Sequence, residues 1–239
     1  MASSNYTSKR RRSNDAAHGA QGVSHAAQNL SLTVIGQHAP NRRAAESSII
    51  SKFEARYGAH LTHFLPDLVR LAAADNLGAV VGVGPARDNA LFLEQYLDKP
   101  VEQAVAAAFM TPVDRDQVVE IGNLAANVPG LAYSLFAILA TVLSEAGYKW
   151  VVCTATPQVA AMLAKMNFSA QPLCDADPSK LASGSADWGD YYSSRPRVMA
   201  GDVHLAAAQA RSDRDIAALL LNYRQPIVQM VAALRRDNK

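Results

Sequence analysis

The stretch QVVEIGNLAANVPGLAYSLFAILATVLSEAGYKWVVCTA, residues 117–155, contains the signals of a strand, a turn, a helix and a second strand in that order. Residues 117–124 are rich in β-branched and other apolar side chains. Gly130 to Glu145 has the apolar spacing of a helix with Gly147 at its C-cap, and Lys149 to Thr154 is a near-continuous apolar strand. This alternation predicts a mixed sheet with helices on its faces and a right-handed β-α-β unit.

The same kind of pattern continues on both sides of this stretch. The predicted helices are Pro40 to Tyr57 ending near Gly58, Val101 to Phe109, Pro157 to about Met166, and Asp213 to Arg236, which Pro226 should kink or split. The predicted strands are Leu65 to Ala73 and Ala79 to Val83, joined as a hairpin, then Phe168 to Leu173 and Arg197 to His204. The sequence therefore predicts one α/β domain with extensions.

The composition is that of a soluble globular protein. The chain has 239 residues, of which 49% are apolar and 18% are charged, and its formal net charge is +2. No apolar run is long enough for a membrane span, so no integral membrane association is expected. The basic excess lies in Lys9 to Arg12, within a polar tail at 1–31 that is expected to be disordered, and no nucleic-acid partner is expected. With no secretory signal and two cysteines, Cys153 and Cys174, we expect a cytoplasmic protein.

The turn between the first strand and the helix is Asn127-Val128-Pro129-Gly130-Leu131-Ala132. A helix N-terminus presents unpaired backbone N–H groups and the positive end of the helix dipole, which suits a pyrophosphate. Gly130 lets an anion approach the backbone closely, and the small Ala132 leaves room in the first turn. An ordinary helix start explains the same spacing, so the turn alone leaves both interpretations open.

The spacing of this turn resembles the Gln/Arg-x-x-Gly-x-Gly/Ala phosphate loop of the GNAT acyltransferase superfamily, with Asn127 in place of the usual long side chain. The order of the surrounding elements is also similar to that superfamily. The resemblance implies a GNAT-like central mixed sheet flanked by helices over residues 32–205, with residues 206–239 as a C-terminal helical extension. Because Asn127 is short, any grip on phosphate should come chiefly from backbone N–H groups.

Five groups of residues carry a closer resemblance, and it spans about Arg43 to Gly201. They are Tyr57-Gly58-Ala59, residues 91–98 (LFLEQYLD), residues 119–125 (VEIGNLA), residues 150–156 (WVVCTAT), and residues 188–192 (WGDYY) with residues 198–201 (VMAG). Together they resemble the thermostable haemolysin family, whose pattern is similar to that of acyl-homoserine-lactone synthases. Those synthases are GNAT-like enzymes that use acyl-CoA or acyl carrier donors. The resemblance implies an N-acyltransferase that acylates an amine-bearing small molecule, with acyl-CoA or the phosphopantetheine of an acyl carrier protein as co-substrate.

Three polar side chains near the strand ends are candidates for catalysis. Acyl transfer needs an amine made neutral, a path for its proton and a donor for the developing oxyanion. Glu120 can act as the base, directly or through water, or can be a salt-bridged sheet carboxylate. Asn123 and Thr154 lie near the carboxyl ends of neighbouring strands, where they can orient substrate or simply cap a strand. The predicted cofactor-binding residues are Ile121, Leu124, Asn127, Val128, Gly130, Leu131 and Ala132.

Candidates for binding the acceptor come from the first helix and from a late aromatic loop. Arg43 and Glu46 lie three residues apart, so they can share a helix face and shape the acceptor site, or form a local ion pair. The aromatic candidates are Trp188, Tyr191 and Tyr192, which can form a wall for an acyl chain or acceptor, or anchor the loop to the core.

Other classes of function follow from other features. A membrane-active haemolysin would need a surface such as the amphipathic segment Ile216 to Leu234, for which docking on the core is the alternative. A GNAT-like scaffold without catalysis would only bind a partner. A homodimer through the C-terminal helices is a further hypothesis. No metal site is predicted, because His60 and His63 have no partners at metal-ligand spacing.

Overall fold

The computed structural model describes residues 31–72, 78–87, 89–128, 130–182 and 184–235. Its strands are β1 (Ser31–Ile35), β2 (Asp67–Ala72), β3 (Ala79–Pro85), β4 (Val118–Ala126), β5 (Trp150–Ala155), β6 (Gln171–Asp175) and β7 (Arg197–Asp202). Its helices are α1 (Arg42–Tyr57), α2 (Val101–Phe109), α3 (Leu131–Ala146), α4 (Pro157–Lys165), α5 (Val203–Ser212), α6 (Arg214–Asn222) and α7 (Arg224–Arg235). A short 3₁₀ turn, Phe92–Tyr96, precedes α2.

The strands form one mixed sheet in the order β1-β2-β3-β4-β5-β7-β6, which confirms the predicted α/β class. β1 to β4 pair antiparallel in chain order, β4 and β5 are parallel, and β7 lies antiparallel between β5 and β6. β2 and β3 form the predicted hairpin, in which Leu71 pairs with Ala79. Residues 73–77 of its turn lie outside the described residues. Gly58 and Gly147 end α1 and α3 in the left-handed conformation, with φ of 65° and 100°, as predicted.

Helices cover both faces of the sheet. On one face α3 lies against the strands, and α5 and α7 pack on α3. The core on this face joins Ile121 of β4 and Ile138 of α3 to Ile216, Ile227 and Leu234 of the last two helices. On the other face, α1, α2 and the 3₁₀ turn bury two smaller clusters of apolar side chains. The apolar face of the segment Ile216 to Leu234 is therefore buried in the protein's own core.

The C-terminal part contains more helix than predicted. The helix predicted over residues 213–236 is split at Tyr223 into α6 and α7. Pro226 lies in the first turn of α7, where a missing backbone N–H costs no helical hydrogen bond. α5 was not predicted, because the strand pattern appeared to run to His204. Asp202 ends β7 instead, and its side chain accepts a hydrogen bond from the Leu205 N–H at 3.0 Å, which caps α5.

Two strands differ from the sequence expectation at their starts. β1 was not predicted, and its first residue, Ser31, is the last residue of the predicted tail; residues 1–30 lie outside the described part. β6 begins at Gln171 and not at Phe168, because the Phe168 ring packs directly on the backbone of Gly201, where a Cβ would clash. Among the described residues, no helix is long and apolar enough to cross a membrane.

Candidate active site

A β-bulge in β4 shapes the centre of the sheet. Val80 pairs with Ala125 and Gly82 with Gly122, so two residues of β4 stand opposite one residue of β3. Asn123 lies in this bulge with φ of 51°, a left-handed conformation that asparagine tolerates better than most residues. Its Oδ1 accepts a hydrogen bond from the Leu65 N–H at 2.9 Å, and its Nδ2 donates to the His63 carbonyl at 3.2 Å. Both ends of the Asn123 amide therefore hold the segment before β2.

The parallel strands β4 and β5 separate just beyond this level. Their pairing ends at Ile121 and Cys153. Further on, β4 stays with β3, where Ala126 pairs with Ala79, and β5 stays with β7. A cavity of about 660 Å³, here called the interstrand cleft, opens between them. It is lined from both strands and from α1, α3 and α4, and its walls include the predicted residues Ile121, Asn123, Leu124, Ala132, Thr154 and Tyr191.

Glu120 is buried beside this cleft, with 4% of its surface exposed. Its Oε2 accepts a hydrogen bond from the Phe92 N–H at 2.8 Å, and the Leu93 N–H also donates to the carboxylate. Burial raises the pKa of Glu120 to about 8, against the lowering effect of these two N–H groups. No ion pair to Glu120 occurs within the described ranges. The salt-bridged interpretation of Glu120 is therefore wrong.

A second cavity of about 60 Å³, here called the Glu120 cavity, lies on the side of the sheet covered by α1. Trp188 and Tyr191 line it, as expected of an aromatic wall. Tyr192 lies behind them, and its hydroxyl is hydrogen-bonded to that of Tyr96 at 2.5 Å. Further wall residues that the sequence patterns did not single out are Phe53, His63, Phe92 and Tyr96. The two cavities meet at Phe53, Ile121, Gly122, Asn123, Thr154 and Tyr191.

Thr154 lies at this junction with a buried hydroxyl. Its Oγ1 has no hydrogen-bond partner in the part of the chain that the structure describes. Its backbone carbonyl accepts a hydrogen bond from the Tyr191 hydroxyl at 3.4 Å. A buried hydroxyl without a partner is unusual in a folded protein and marks a position where a ligand can supply the missing bond.

The residues of the predicted phosphate loop do not share one cavity. The Asn127 N–H donates to the Gly78 carbonyl at 2.8 Å, which ties the loop to the start of β3. Gly130 has φ of 83° and is the N-cap of α3. Ala132 lines the interstrand cleft, and Asn127 lines a separate groove of about 380 Å³ beside α1. Val128, Gly130 and Leu131 line none of the cavities described here, and Pro129 lies outside the described residues.

Cationic side chains line the interstrand cleft at positions that sequence analysis missed. Lys52 and Arg56 extend from α1, and Lys165 from the end of α4. Lys52 also lines the groove that contains Asn127. Their positive charge lies where a phosphorylated ligand in the cleft would be exposed to solvent.

The predicted pair on α1 is replaced by a different one. Glu46 accepts a hydrogen bond from Nε of Arg42 at 2.6 Å, whereas Arg43 is exposed, so the expected Arg43–Glu46 pair is wrong. Arg42 is buried because its guanidinium donates to the carbonyls of Leu65 and Pro66 at 2.8 and 2.7 Å. Arg43 and Glu46 line none of the cavities described here.

A third cavity, here called the apolar chamber, lies beneath α3 and has a volume of about 260 Å³. It shares Ile121, Tyr133, Phe136, Cys153 and Lys165 with the interstrand cleft. Its remaining walls are mainly apolar side chains of α3, α4, β7 and α5. Cys153 is buried as expected, and burial raises the pKa of its thiol to about 12, so it is a packing residue and not a thiolate nucleophile. In the described residues, no group of three or more His, Cys, Asp or Glu side chains can hold a metal ion.

The mixed sheet with parted β4 and β5, flanked by helices, is a GNAT-like fold. FeeM, an N-acyl amino acid synthase from uncultured soil microbes, superposes with a TM-score of 0.52 at 15% identity over 76% of this chain and 96% of that chain. The acyl-homoserine-lactone (AHL) synthase LasI superposes with a TM-score of 0.52 at 8% identity over 74% of this chain and 91% of that chain. At these identities the similarity establishes the fold alone.

The chain belongs to the thermostable haemolysin family. The family profile described as "Thermostable hemolysin" matches residues 35–207, which is most of the chain and agrees with the resemblance seen in its sequence. A search of curated protein sequences finds no match.

Proposed function

We propose that the protein transfers an acyl group from a thioester donor, acyl-CoA or an acyl carrier protein, to the amine of a small molecule. The observation that carries the proposal is the separation of β4 from β5 next to the buried Glu120 carboxyl, which has no ion pair among the described residues. The cleft is an open space between the strands in which the extended pantetheine arm of a thioester donor can lie. Glu120 lines the Glu120 cavity, and Thr154 lies where that cavity meets the cleft.

The donor is proposed to lie along the interstrand cleft with its phosphates toward the N-terminus of α3. Ala132 and Leu124 line its path, and the first turn of α3, which contains Ala132, supplies the positive end of the helix dipole. Lys52, Arg56 and Lys165 supply the side-chain charge that Asn127 lacks. The acyl chain enters the apolar chamber, because that chamber opens from the cleft at Ile121 and Cys153.

The chemistry proposed for the junction is direct attack of the amine on the thioester. An acceptor ammonium passes one proton to the Glu120 carboxylate, and the neutral nitrogen attacks the carbonyl carbon. The N–C bond forms, the C–S bond breaks, and the second nitrogen proton leaves with the thiolate, giving an amide and a free thiol. Thr154 Oγ1 donates a hydrogen bond to the carbonyl oxygen as negative charge develops on it. A carboxyl pKa near 8 suits a base that operates close to neutral pH.

Calorimetric titration with decanoyl-CoA and mass-spectrometric detection of amide products test this proposal. Lys52→Glu should weaken decanoyl-CoA binding by about tenfold, because it reverses a charge at the cleft. Lys99→Glu, an exposed lysine outside the cavities described here, is the matched control and should bind like the wild type. Absence of binding to both decanoyl-CoA and acylated carrier protein would refute the proposal.

Two other functions predicted from the sequence receive less support. A membrane-active role for Ile216 to Leu234 would require its apolar face to leave the core that buries Ile227, Met230 and Leu234. A scaffold without catalysis would have no use for a buried carboxylate without a cation and a buried hydroxyl without a partner, since both cost stability.

A further inference from the structure

The Glu120 cavity is bounded by a continuous wall of aromatic rings. The rings of Phe92 and Trp188 have centroids 5.6 Å apart, those of Trp188 and Tyr191 5.3 Å, and those of Phe53 and Tyr191 6.1 Å. His63 extends the wall by stacking on Phe92 at 5.0 Å. Aromatic faces carry negative electrostatic potential and attract cations, above all where water is excluded.

The charges at this cavity favour a cation as well. Its lining residues, all of them within the described ranges, include no lysine or arginine. His63 is partly buried against its neighbours, which lowers its pKa and keeps the ring neutral at neutral pH. The Asn123 amide is engaged at both ends by backbone groups. Among these lining side chains, Glu120 carries the one carboxyl group, and the Thr154 hydroxyl has no hydrogen-bond partner in the described part of the chain.

We propose that the acceptor is a primary amine bound as its ammonium ion, with no carboxylate on the carbon next to the nitrogen. The proposal rests on the acyl transfer proposed above. The nitrogen lies at Glu120, and the remainder of the molecule lies along the aromatic wall. A carboxylate next to the nitrogen would stand roughly 4 Å from Glu120, and repulsion at that distance would weaken binding by about a hundredfold or more.

The nearby cations Lys52 and Arg56 do not cancel the repulsion between Glu120 and a carboxylate next to the acceptor nitrogen. Lys52 and Arg56 line the interstrand cleft and not the Glu120 cavity, and both are exposed on α1. In the proposed arrangement they face the donor. An acceptor that turned its carboxylate toward them would draw its nitrogen away from Glu120, because the nitrogen and carboxylate of an α-amino acid share one carbon.

Matched acceptors test the proposal with the full-length protein and decanoyl-CoA. Phenethylamine, phenylalanine and phenylalaninamide share one ring and differ in the group beside the nitrogen, which is absent, anionic or neutral. The amide distinguishes the charge of a carboxylate from its bulk. We expect kcat/KM for phenethylamine to exceed that for phenylalanine at least about 50-fold, with phenylalaninamide close to the amine.

A pair of variants at the cavity rim sharpens the test. His63→Arg adds a fixed cation beside Phe92 and should raise the ratio of phenylalanine to phenethylamine turnover at least about tenfold over His63→Gln, which adds none. Phenylalanine used by the wild type as well as phenethylamine would overturn the inference and leave acyl transfer in place. Decanoyl-CoA consumed with none of the three acceptors acylated would overturn the inference and the amine-transferase function together.

Discussion

Glu94 lies within the 3₁₀ turn at residues 92–96, Glu120 accepts hydrogen bonds from the backbone of that turn, and the two carboxylates differ in their counter-ions. Glu94 accepts hydrogen bonds from Arg115 at 2.7 and 2.8 Å and caps the Leu91 N–H at 2.7 Å. Glu120 accepts hydrogen bonds from backbone N–H groups of the same turn and has no cation among its described neighbours. Burial would raise the pKa of Glu94, but Arg115 and the backbone donors lower it to about 2, whereas burial raises that of Glu120 to about 8.

This difference shows how one small region can separate a structural carboxylate from a reactive one. Arg115 joins Glu94 to Glu102 at 2.8 Å and donates from Nε to the Ala86 carbonyl at 2.7 Å, so it fixes the segment between β3 and α2. That segment carries the Phe92 N–H that holds Glu120 in place. The charge of Glu94 stabilises the fold, whereas the charge of Glu120 costs stability and remains available to a ligand.

The largest expected effect is on catalysis, when Glu120 is replaced. Glu120→Gln should lower kcat/KM about a thousandfold, because the neutral amide cannot accept the ammonium proton. The glutamine keeps the shape of the side chain and can still accept the Phe92 N–H through its Oε1. Steady-state rates of amide formation from decanoyl-CoA measure the loss. Retention of more than a tenth of the wild-type rate would exclude Glu120 as the base.

The second effect is on stability, when Arg115 is replaced. Arg115→Met should lower the free energy of unfolding by about 2 kcal/mol, less than for a fully buried pair because 29% of the Arg115 side chain is exposed. Urea denaturation measures the change. The control is Arg197→Met, since Arg197 pairs with Asp175 at 3.3 Å but is 52% exposed, and its loss should cost under about 0.5 kcal/mol. Equal losses of unfolding free energy in the two variants would show that Arg115 stabilises the fold no more than an exposed ion pair does.

The two carboxylates should also respond to pH in opposite directions. Glu94 has a lowered pKa, so its contribution to stability is complete near neutral pH and is lost as the pH falls toward 2. Glu120 has a raised pKa, so the folded state binds its proton more tightly and stability falls as the pH rises between about 4.5 and 8.

Glu120→Gln removes the fall in stability that the ionisation of Glu120 causes as the pH rises. The stability of the variant relative to the wild type should therefore increase between pH 5 and pH 8 by on the order of 3 kcal/mol. Urea denaturation of both proteins at the two pH values measures this difference. Over the same range, kcat/KM of the wild type should rise with pH as Glu120 ionises. Parallel stability curves for the two proteins would show that Glu120 ionises normally.

The local sequence was enough to predict much of the framework around this region. Gly58 and Gly147 end their helices where predicted, and Glu120 and Thr154 both line the Glu120 cavity because they lie on neighbouring parallel strands. The order of strand, loop and helix over residues 117–155 could be predicted from short-range periodicity alone. These parts of the fold follow from neighbours in the chain.

Contacts between distant segments were not predictable in the same way. Arg42 points inward because its guanidinium donates hydrogen bonds to the carbonyls of Leu65 and Pro66, more than twenty residues later. Arg42, and not Arg43, therefore pairs with Glu46. The stacking of His63 on Phe92 likewise joins segments that no spacing rule connects. The Glu120 cavity depends on such contacts, so the part of its wall formed by Phe53, His63 and Phe92 became visible only in the structure.

The smallest expected effect concerns Thr154, whose buried hydroxyl has no described hydrogen-bond partner, whereas Glu120 lacks only a described cation. Thr154→Val keeps the side-chain shape and removes an Oγ1 without a described hydrogen bond, so the free energy of unfolding should stay within about 0.5 kcal/mol of the wild type or rise. Loss of the proposed donor to the thioester carbonyl should lower kcat about tenfold. Thr154→Ser retains the hydroxyl and should keep most of the activity. A valine variant that is destabilised but fully active would instead show that the hydroxyl has a structural role, as Glu94 does, and not a catalytic one.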